Sequence, residues 1–265
     1  MIDILFVHPN ASKKIYQGLA NKNSAIEPPI WAAMLANSVR SIGYSTEILD
    51  TEVEHLDYIT SAKRITEYKA KIVCFVVYGQ QPSASSQNME GATATAQELR
   101  NLEPNTFILF VGGHVAALPE ETLKKEPYIN AVCQNEGVYT IRNLLQVSSF
   151  DDYNLKRVDG LVFRDREGNI IFNAPSQVVP KDMLETDLPG MAWDLLPSLS
   201  QYRTAGWHSW SNNTEKQPFA ALYTSLGCPY KCSFCMINII NRTKQGSNVS
   251  SADSNIFRWW SPEFI

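Results

Sequence analysis

The sequence lacks the features that mark nucleic-acid-binding, membrane and secreted proteins. Its net charge is −4, and it has no basic run with interleaved aromatic residues, which excludes a non-specific nucleic-acid surface. No apolar run approaches the ~20 residues that cross a bilayer. The first residues carry an acid at Asp3 and have neither the basic region nor the small-residue cleavage site of a signal peptide. We therefore expect a cytoplasmic protein with no nucleic-acid partner and no membrane partner.

Two phosphate-binding motifs are also missing. No G-x-G-x-x-G follows the first apolar run, and no G-x-x-x-x-G-K-[ST] occurs in the chain, so an ordinary dinucleotide or nucleoside-triphosphate site is unsupported. Hydrophobic residues make up 44% and charged residues 19% of the 265 residues, which is an ordinary globular composition. This length suits one large domain, or one domain and part of another.

The five cysteines are odd in number and unevenly spread. Three of them fall within eight residues, whereas a disulfide framework would space its cysteines and pair them. Clustered thiols in a reducing compartment more often bind metal. The other two, Cys74 and Cys133, sit in apolar runs and are expected to be small buried strand residues.

Short apolar runs alternate with helical patterns from residue 1 to about 146. Strands are predicted at 2–7, 45–49, 71–77, 106–111 and 129–133. Helices are predicted at 29–41, 58–69, 86–101, 118–126 and 138–146. Continuous apolar strands separated by helices predict a doubly wound α/β domain with a five-stranded parallel sheet, of the Rossmann-like or flavodoxin-like kind.

The rest of the chain reads as two further parts. A polar stretch around 147–158 marks a linker, and a β-hairpin with Asp165-Arg166-Glu167-Gly168 at its turn follows it. A proline-dotted segment then leads to a new strand over 219–225, which runs into a cysteine motif. The predicted parts are an α/β domain over 1–146, a linker with a β-hairpin over 147–215, and a further domain that begins at 216.

The loops that follow the strands are candidate sites, because ligands of doubly wound folds sit beyond the carboxyl ends of the strands. Small, hydroxyl-bearing and glycine residues there let a backbone approach a ligand closely. The candidates after the third, fourth and fifth strands are Ser83, Ala84, Ser85, Gly112, Gly113, His114, Glu136 and Gly137. Each of these segments also has an ordinary structural explanation. The serines could cap the helix that follows them, Gly112-Gly113 could form a tight turn with His114 as a loop histidine, and Glu136 could be a surface acid.

A C-x3-C-x2-C motif is formed by Cys228, Cys232 and Cys235. Three thiolates from one tight loop can hold three irons of a [4Fe-4S] cluster and leave the fourth iron open. S-adenosylmethionine can chelate that iron through its amino and carboxylate groups, and electron transfer then breaks a carbon–sulfur bond to release a 5′-deoxyadenosyl radical. Phe234 suits the cofactor pocket, since an adenine ring can pack near an aromatic edge.

A structural zinc site is the alternative reading of this motif. Tetrahedral zinc requires four ligands, usually supplied as two pairs. The second pair is missing here, and the nearest other candidate, His208, has no partner beside it. The spacing therefore favours the iron–sulfur cluster.

With these motifs, the sequence resembles the cobalamin-binding-domain radical S-adenosylmethionine proteins, a class that includes methyltransferases and the anaerobic magnesium-protoporphyrin cyclase. The cysteine loop, with Tyr230 and Phe234 in it, carries the resemblance most specifically. Weaker matches extend over nearly the whole chain, at His8-Pro9, Pro28-Pro29, Asp50, Gly112-Gly113-His114, Pro119 to Leu123, Glu136-Gly137 and Leu188 to Leu196.

The resemblance implies that the N-terminal domain holds cobalamin over the open end of its sheet. The loops at Ser83–Ser85 and Gly112–His114 would contact the corrin and its nucleotide tail, with Glu136 and Gly137 on the same edge. No D-x-H-x-x-G follows the first strand, so no histidine is marked as a lower axial ligand. The resemblance also implies a small-molecule substrate and an electron donor such as a flavodoxin or ferredoxin.

The implied activity is that of a radical enzyme, in the first place a methyltransferase acting on an unactivated carbon. Two alternatives stay open: a radical cyclase or rearrangement enzyme, and a non-catalytic cobalamin-binding module with a vestigial cluster loop. A complete (β/α)8 barrel takes ~200 residues or more. We therefore expect residues 216–265 to be the start of an incomplete radical S-adenosylmethionine barrel in a truncated, inactive fragment, with residues from about 200 onward loosely held.

Overall fold

The computed structural model describes residues 1–12, 25–78, 82–203, 218–230, 232–233, 235, 237–240 and 257–265. Its centre is one seven-stranded sheet, in which the first five strands run parallel in the flavodoxin-like order β2-β1-β3-β4-β5, followed by β6 and β7. The strands are β1 Ile4–His8, β2 Thr46–Asp50, β3 Ile72–Val76, β4 Phe107–Val111, β5 Ala131–Cys133, β6 Leu161–Arg164 and β7 Ile170–Phe172.

Helices link these strands and follow them. They are α1 Ile30–Arg40, α2 Tyr58–Tyr68, α3 Pro82–Leu102, α4 Gly113–Ala117, α5 Pro119–Lys125, α6 Val138–Leu145, α7 Asp152–Leu155, α8 Leu184–Asp187 and α9 Ile237–Ile240. In the described part of the chain, no helix is both long and apolar enough to span a bilayer. The predicted doubly wound α/β fold is confirmed.

Alternate side chains of each central strand pack on opposite faces of the sheet. In β3, Ile72, Cys74 and Val76 belong to one apolar cluster, and Val73 and Phe75 belong to the other. Helices α1 and α6 cover the first face, while α2 and α3 cover the second. Because both faces are covered, the strands carry unbroken apolar runs, and these runs made the strands predictable.

Cys74 and Cys133 are fully buried strand residues, as predicted. Burial raises the pKa of both thiols. Their thiolate forms, which bind metals and act as nucleophiles, are therefore disfavoured.

The predicted hairpin is confirmed, but it extends the main sheet. Strand β6 pairs antiparallel with β7 and also with β5, through partners such as Val132 and Val162. It thereby covers the outer edge of β5, whose backbone N–H and C=O groups would otherwise form an open edge. The hairpin within the expected linker 147–215 thus adds two strands to the sheet.

A second, two-stranded antiparallel sheet pairs β8 Ser225–Leu226 with β9 Arg258–Trp259. The strand expected over 219–225 is therefore present only at its last residue, and β9 is its partner. Tyr202, Arg258 and Trp260 are buried and hydrogen-bond to Asp50, Glu136 and the Leu188 carbonyl. These residues dock on the rest of the chain, and the expectation that the segment after about 200 is loosely held stays a prediction.

Candidate functional site

The carboxyl edge of the parallel sheet begins with a pair of polar strand ends. His8 and Asp50 are the last residues of β1 and β2 and are register partners. The N–H and the hydroxyl of Thr51 both donate to the His8 carbonyl, at 3.0 and 2.8 Å. Tyr202 donates its hydroxyl to the Asp50 carboxylate at 2.9 Å. Both strand ends are thereby fixed at this edge.

The predicted loops after β3 and β4 are joined by hydrogen bonds. The buried Ser85 hydroxyl donates to the Val77 carbonyl and accepts from the His114 N–H at 2.9 Å. Ser86 Oγ lies 2.9 Å from His114 Nδ1. The two segments that sequence analysis assigned to the cobalamin site therefore meet at one place on the edge.

Glycine is required where β4 leaves the sheet. Gly112 has φ +153°, and a Cβ there would lie 2.2 Å from the Val77 carbonyl oxygen. Helix α4 begins at the next residue, Gly113, while Ser83 and Ala84 lie in the first turn of α3. The glycine lets the ends of β3 and β4 approach each other. Contact with a corrinoid stays a prediction for these residues.

Glu136 and Gly137 have partners within the protein. Glu136 is 1% exposed, and its carboxylate accepts from Arg258 Nη2 at 2.8 Å and from the Val179 N–H. Gly137 has φ +79°, and a Cβ there would lie 2.5 Å from Val111 Cγ2. The surface-acid alternative is therefore wrong for Glu136. Contact of these two residues with cobalamin stays a prediction.

The three motif cysteines lie in the loop after β8. Cys232 is exposed, Cys228 and Cys235 are half-buried, and the Cys235 N–H donates to the Cys232 carbonyl at 3.1 Å. Within the described residues, no three His, Cys, Asp or Glu side chains are gathered as a metal-ligand set. Phe234 and His208 lie outside the described residues. The donor type and the spacing fit an iron–sulfur cluster, and ligation by these thiols stays a prediction.

The helix that follows the cysteine loop packs against the helix that follows β4. Helix α9, which starts two residues after Cys235, packs against α4, with Cα atoms of the two helices within 8 Å. Helix α4 begins within the Gly112–His114 segment. The fold therefore brings together two candidate segments that are far apart in the sequence.

An unpredicted pocket, here called the edge pocket, opens beyond the ends of β1, β2 and β3. Its walls include three aromatic residues and three ionisable ones: Trp31, Tyr78, Tyr223, His8, Glu27 and Glu52. The rings of Trp31 and Tyr78 lie 5.1 Å apart between centroids. Tyr223 belongs to the segment that leads into β8, so both parts of the chain contribute. In the sequence, this pocket was indicated only by His8-Pro9 and Pro28-Pro29, which are among the weaker matches to the family.

Carboxylates surround His8 in this pocket. The Nε2 atom of His8 lies 3.4 Å from the Glu52 carboxylate. Burial lowers the pKa of His8, but Asp50, Glu52 and Glu27 outweigh burial and raise that pKa above its ordinary value. Burial raises the pKa of Asp50 to about 6, against the opposing effect of His8. Burial and the Glu52 charge also raise the pKa of Glu27.

Comparison with known proteins shows which families this edge is similar to. Residues 16–145 match the family model of the B12 binding domain. The chain is 30% identical over 208 residues to an uncharacterized methyltransferase of Pyrococcus horikoshii, covering 78% of this chain and 40% of that protein. It is 22% identical over 235 residues to the anaerobic magnesium-protoporphyrin IX monomethyl ester cyclase of Cereibacter sphaeroides, covering 88% and 34%.

The fold is similar to that of the cobalamin-dependent S-adenosylmethionine radical enzyme OxsB, with a TM-score of 0.61 and 18% identity over 89% of this chain and 28% of that one. The chain thus spans at most 40% of the length of these three proteins. The resemblance to cobalamin-binding-domain radical S-adenosylmethionine proteins is confirmed.

Residues 16–145 match the model of the B12 binding domain, and the segments after β3 and β4 lie at their carboxyl edge. Ser85, Gly112 and Gly113 are buried there, at the edge where such folds bind ligands. His8 and Tyr78 line the edge pocket, and their buried Nδ1 and hydroxyl atoms have no hydrogen-bond partner among the described residues.

Proposed function

We propose that this chain is the cobalamin-binding and cluster-binding part of a radical S-adenosylmethionine enzyme that transfers a methyl group to an unactivated carbon. The packing of α9 on α4 is the observation that carries the proposal, because α9 starts two residues after Cys235 and α4 begins within the Gly112–His114 segment. A reaction that uses two cofactors requires their reactive atoms within reach of one substrate. One shared edge supports that arrangement.

The roles proposed for the residues follow from their chemistry. Cys228, Cys232 and Cys235 would hold a [4Fe-4S] cluster and leave one iron for S-adenosylmethionine. When bound, the cluster supplies the electron that cleaves S-adenosylmethionine, and cobalamin supplies a carrier for the methyl group. Ser85 fixes the two cobalamin loops relative to each other. The electron would come from a flavodoxin or a ferredoxin, and the substrate would be a small molecule.

Two alternatives have support of their own. A radical cyclase is favoured by the similarity to the magnesium-protoporphyrin cyclase, which covers 88% of this chain. A non-catalytic cobalamin-binding module is favoured by the family match, which is confined to residues 16–145 and does not include the cysteine loop.

Anaerobic reconstitution of the chain separates these proposals. We expect iron and sulfide in the ratio of a cubane cluster, together with a saturable spectral change on titration with hydroxocobalamin. Cobalamin binding without iron would favour the binding module, and stoichiometric zinc in protein prepared without oxygen would contradict the cluster. In the whole protein, S-adenosylhomocysteine formed together with 5′-deoxyadenosine would favour a methyltransferase over a cyclase.

A further inference from the structure

The wall of the edge pocket is built from both parts of the chain. Trp31 and Tyr78 come from the first domain, and Tyr223 comes from the start of the segment that carries the cysteine motif. This segment, from Tyr223 to Trp260, is called the cysteine-bearing segment. Because Tyr223 belongs to it, the pocket has its full wall only while the cysteine-bearing segment is docked on the first domain.

Glu136 has buried contacts with both parts. Its backbone carbonyl accepts the indole N–H of Trp31 at 3.2 Å. Its carboxylate accepts from Arg258 Nη2 at 2.8 Å and from Arg258 Nη1 at 3.2 Å. Trp31 is 4% exposed, Glu136 1% and Arg258 0%. One residue therefore connects a wall residue of the pocket to the cysteine-bearing segment.

The second aromatic residue of the first domain lies close to the same contacts. The rings of Trp31 and Tyr78 lie 5.1 Å apart between centroids. Burial raises the pKa of the Tyr78 hydroxyl well above its ordinary value, the charge of Glu136 adds to this effect, and the charge of Arg258 opposes it. A displacement of Arg258 would therefore change the surroundings of both rings.

Arg258 also fixes the strand that leads into the cysteine motif. It pairs with Leu226 of β8, which lies two residues before Cys228. If Arg258 left its place, Glu136 would remain buried without a cation, which is strongly unfavourable. The contacts of the docked segment should therefore form together, as coupling through a two-state element requires.

We propose that Glu136 is a positioning residue that couples ligand binding at the edge pocket to docking of the cysteine-bearing segment. The coupling is reciprocal, because a ligand that prefers the complete wall also stabilises the docked segment. In an enzyme with two cofactors, it would bring the cluster loop into place when the first cofactor binds. That the ligand is a corrinoid rests on the proposed function, whereas the connection from Trp31 through Glu136 to Arg258 does not.

Trp31→Phe tests the connection without any ligand, because it keeps an aromatic ring and removes the N–H that Glu136 accepts. Hydrogen exchange of the Trp260 indole N–H, which donates to the Leu188 carbonyl, reports on the docked segment in the full chain. We expect this exchange to become about threefold faster or more, relative to the Val73 amide of β3, which reports on global unfolding. NMR measures both exchange rates.

Tyr128→Phe is the matched control for this variant. It likewise removes one donor and keeps an aromatic ring, but the Tyr128 hydroxyl donates to Glu126, before β5 at the opposite edge of the sheet. It should leave the ratio of the Trp260 and Val73 exchange rates unchanged.

Hydroxocobalamin tests the effect on binding, with the dissociation constant measured by absorbance titration under conditions in which each variant is folded. We expect Arg258→Met to bind about tenfold more weakly than the wild type. Arg142→Met is the matched control, since it removes another buried arginine, which pairs with Asp187 at 2.6 Å outside the pocket. It should leave the affinity unchanged. Arg258→Lys keeps a cation for Glu136 and should recover part of the affinity.

The outcomes separate this inference from the proposed function. Faster Trp260 exchange in Trp31→Phe, in a chain that does not bind hydroxocobalamin, supports the connection and contradicts the cobalamin proposal. Equal hydroxocobalamin affinities of the wild type, Arg258→Met and Arg142→Met, together with Trp260 exchange that Trp31→Phe leaves unchanged, overturn the coupling and leave the cobalamin proposal intact. Because Trp31→Phe keeps the ion pair, the exchange experiment decides the matter if Arg258→Met does not fold.

Discussion

Arg258 and Glu136 form a buried ion pair, with 2.8 Å between Nη2 and Oε2 and side-chain exposures of 0% and 1%. Arg258 also donates to the Val179 carbonyl, and the neighbouring Trp260 donates its indole N–H to the Leu188 carbonyl at 3.1 Å. These contacts attach the segment that follows the cysteine motif to Glu136, after β5, and to the segment that contains Val179 and Leu188. The pair therefore fixes β9, whose strand partner β8 leads into the cysteine motif.

Arg258→Met should lower the free energy of unfolding by about 3–5 kcal/mol, because it leaves the Glu136 carboxylate buried without its cation. Arg40→Met is the matched control, since Arg40 pairs with Asp194 at the surface, with side-chain exposures of 41% and 62%, and should cost less than about 1 kcal/mol. Urea denaturation measures both. The double variant Glu136→Met with Arg258→Met should recover much of the loss. Equal effects of Arg258→Met and Arg40→Met would show that the buried pair contributes no more than the surface pair.

Gly112→Ala should be strongly destabilising. The added Cβ would meet the Val77 carbonyl oxygen at 2.2 Å, so the ends of β3 and β4 must move apart, and the positive φ adds strain. Gly43→Ala is the control: its φ is +85°, but no described atom lies within 4 Å of the added Cβ, so it should cost only about 1–2 kcal/mol. Thermal unfolding of the two variants makes the comparison. A Gly112→Ala variant as stable as Gly43→Ala would argue against the close approach of these strand ends.

Asp50 should make stability fall as the pH rises from about 4 to 6. Its pKa is raised from 3.8 to about 6, so in this window the folded state keeps a proton that the unfolded state has released. Asp50→Asn removes this titration and should gain about 3 kcal/mol relative to the wild type between pH 4 and 7. Urea denaturation at several pH values measures the difference. Parallel profiles of Asp50→Asn and the wild type would refute the shift.

Asp3 provides a control of opposite sign. Hydrogen bonds from Lys71 and Ser45 lower its pKa to about 2, so Asp3 stabilises the fold above about pH 4 and loses that contribution as the pH falls towards 2. Asp3→Asn should therefore change the profile in the acid range and leave the window of Asp50 unaltered.

Replacement of Cys228, Cys232 or Cys235 by Ala should abolish iron binding, because three thiolates are needed to hold the cluster. Cys74→Ala is the control, since Cys74 is fully buried and burial raises its pKa well above the ordinary value. Iron and sulfide contents after anaerobic reconstitution test both variants. Loss of iron in Cys74→Ala without unfolding would contradict the assignment of the motif.

The parallel strands could be predicted because each is covered on both faces and so reads as a continuous apolar run. The run at Ile72–Val76 is an example, with all five residues buried. The pairing of β6 with β5 could not be predicted, because the hairpin carries no local signal that says which edge it joins. No helix was predicted at Gly113–Ala117, which is only five residues long and begins with glycine, and packing against α9 gives it tertiary support.

The candidate site was predictable only where one segment supplies it. The cysteine motif and the loop glycines are local patterns, and the sequence contains them in full. The edge pocket combines Glu27, Glu52 and Tyr223 from three distant segments, and the partner of Glu136 is Arg258. Contacts between residues so far apart in the sequence depend on tertiary packing, so they could not be predicted from the sequence.

Leu226 pairs with Arg258 in the small sheet, so the two ends of the cysteine-bearing segment lie next to each other. Closing a longer chain between these ends costs more entropy, by about 0.6 kcal/mol for each doubling of the closed length. That increment is small beside the buried contacts of Arg258 and Trp260 with Glu136 and Leu188, so these contacts and the strand pair should keep their places as that length changes.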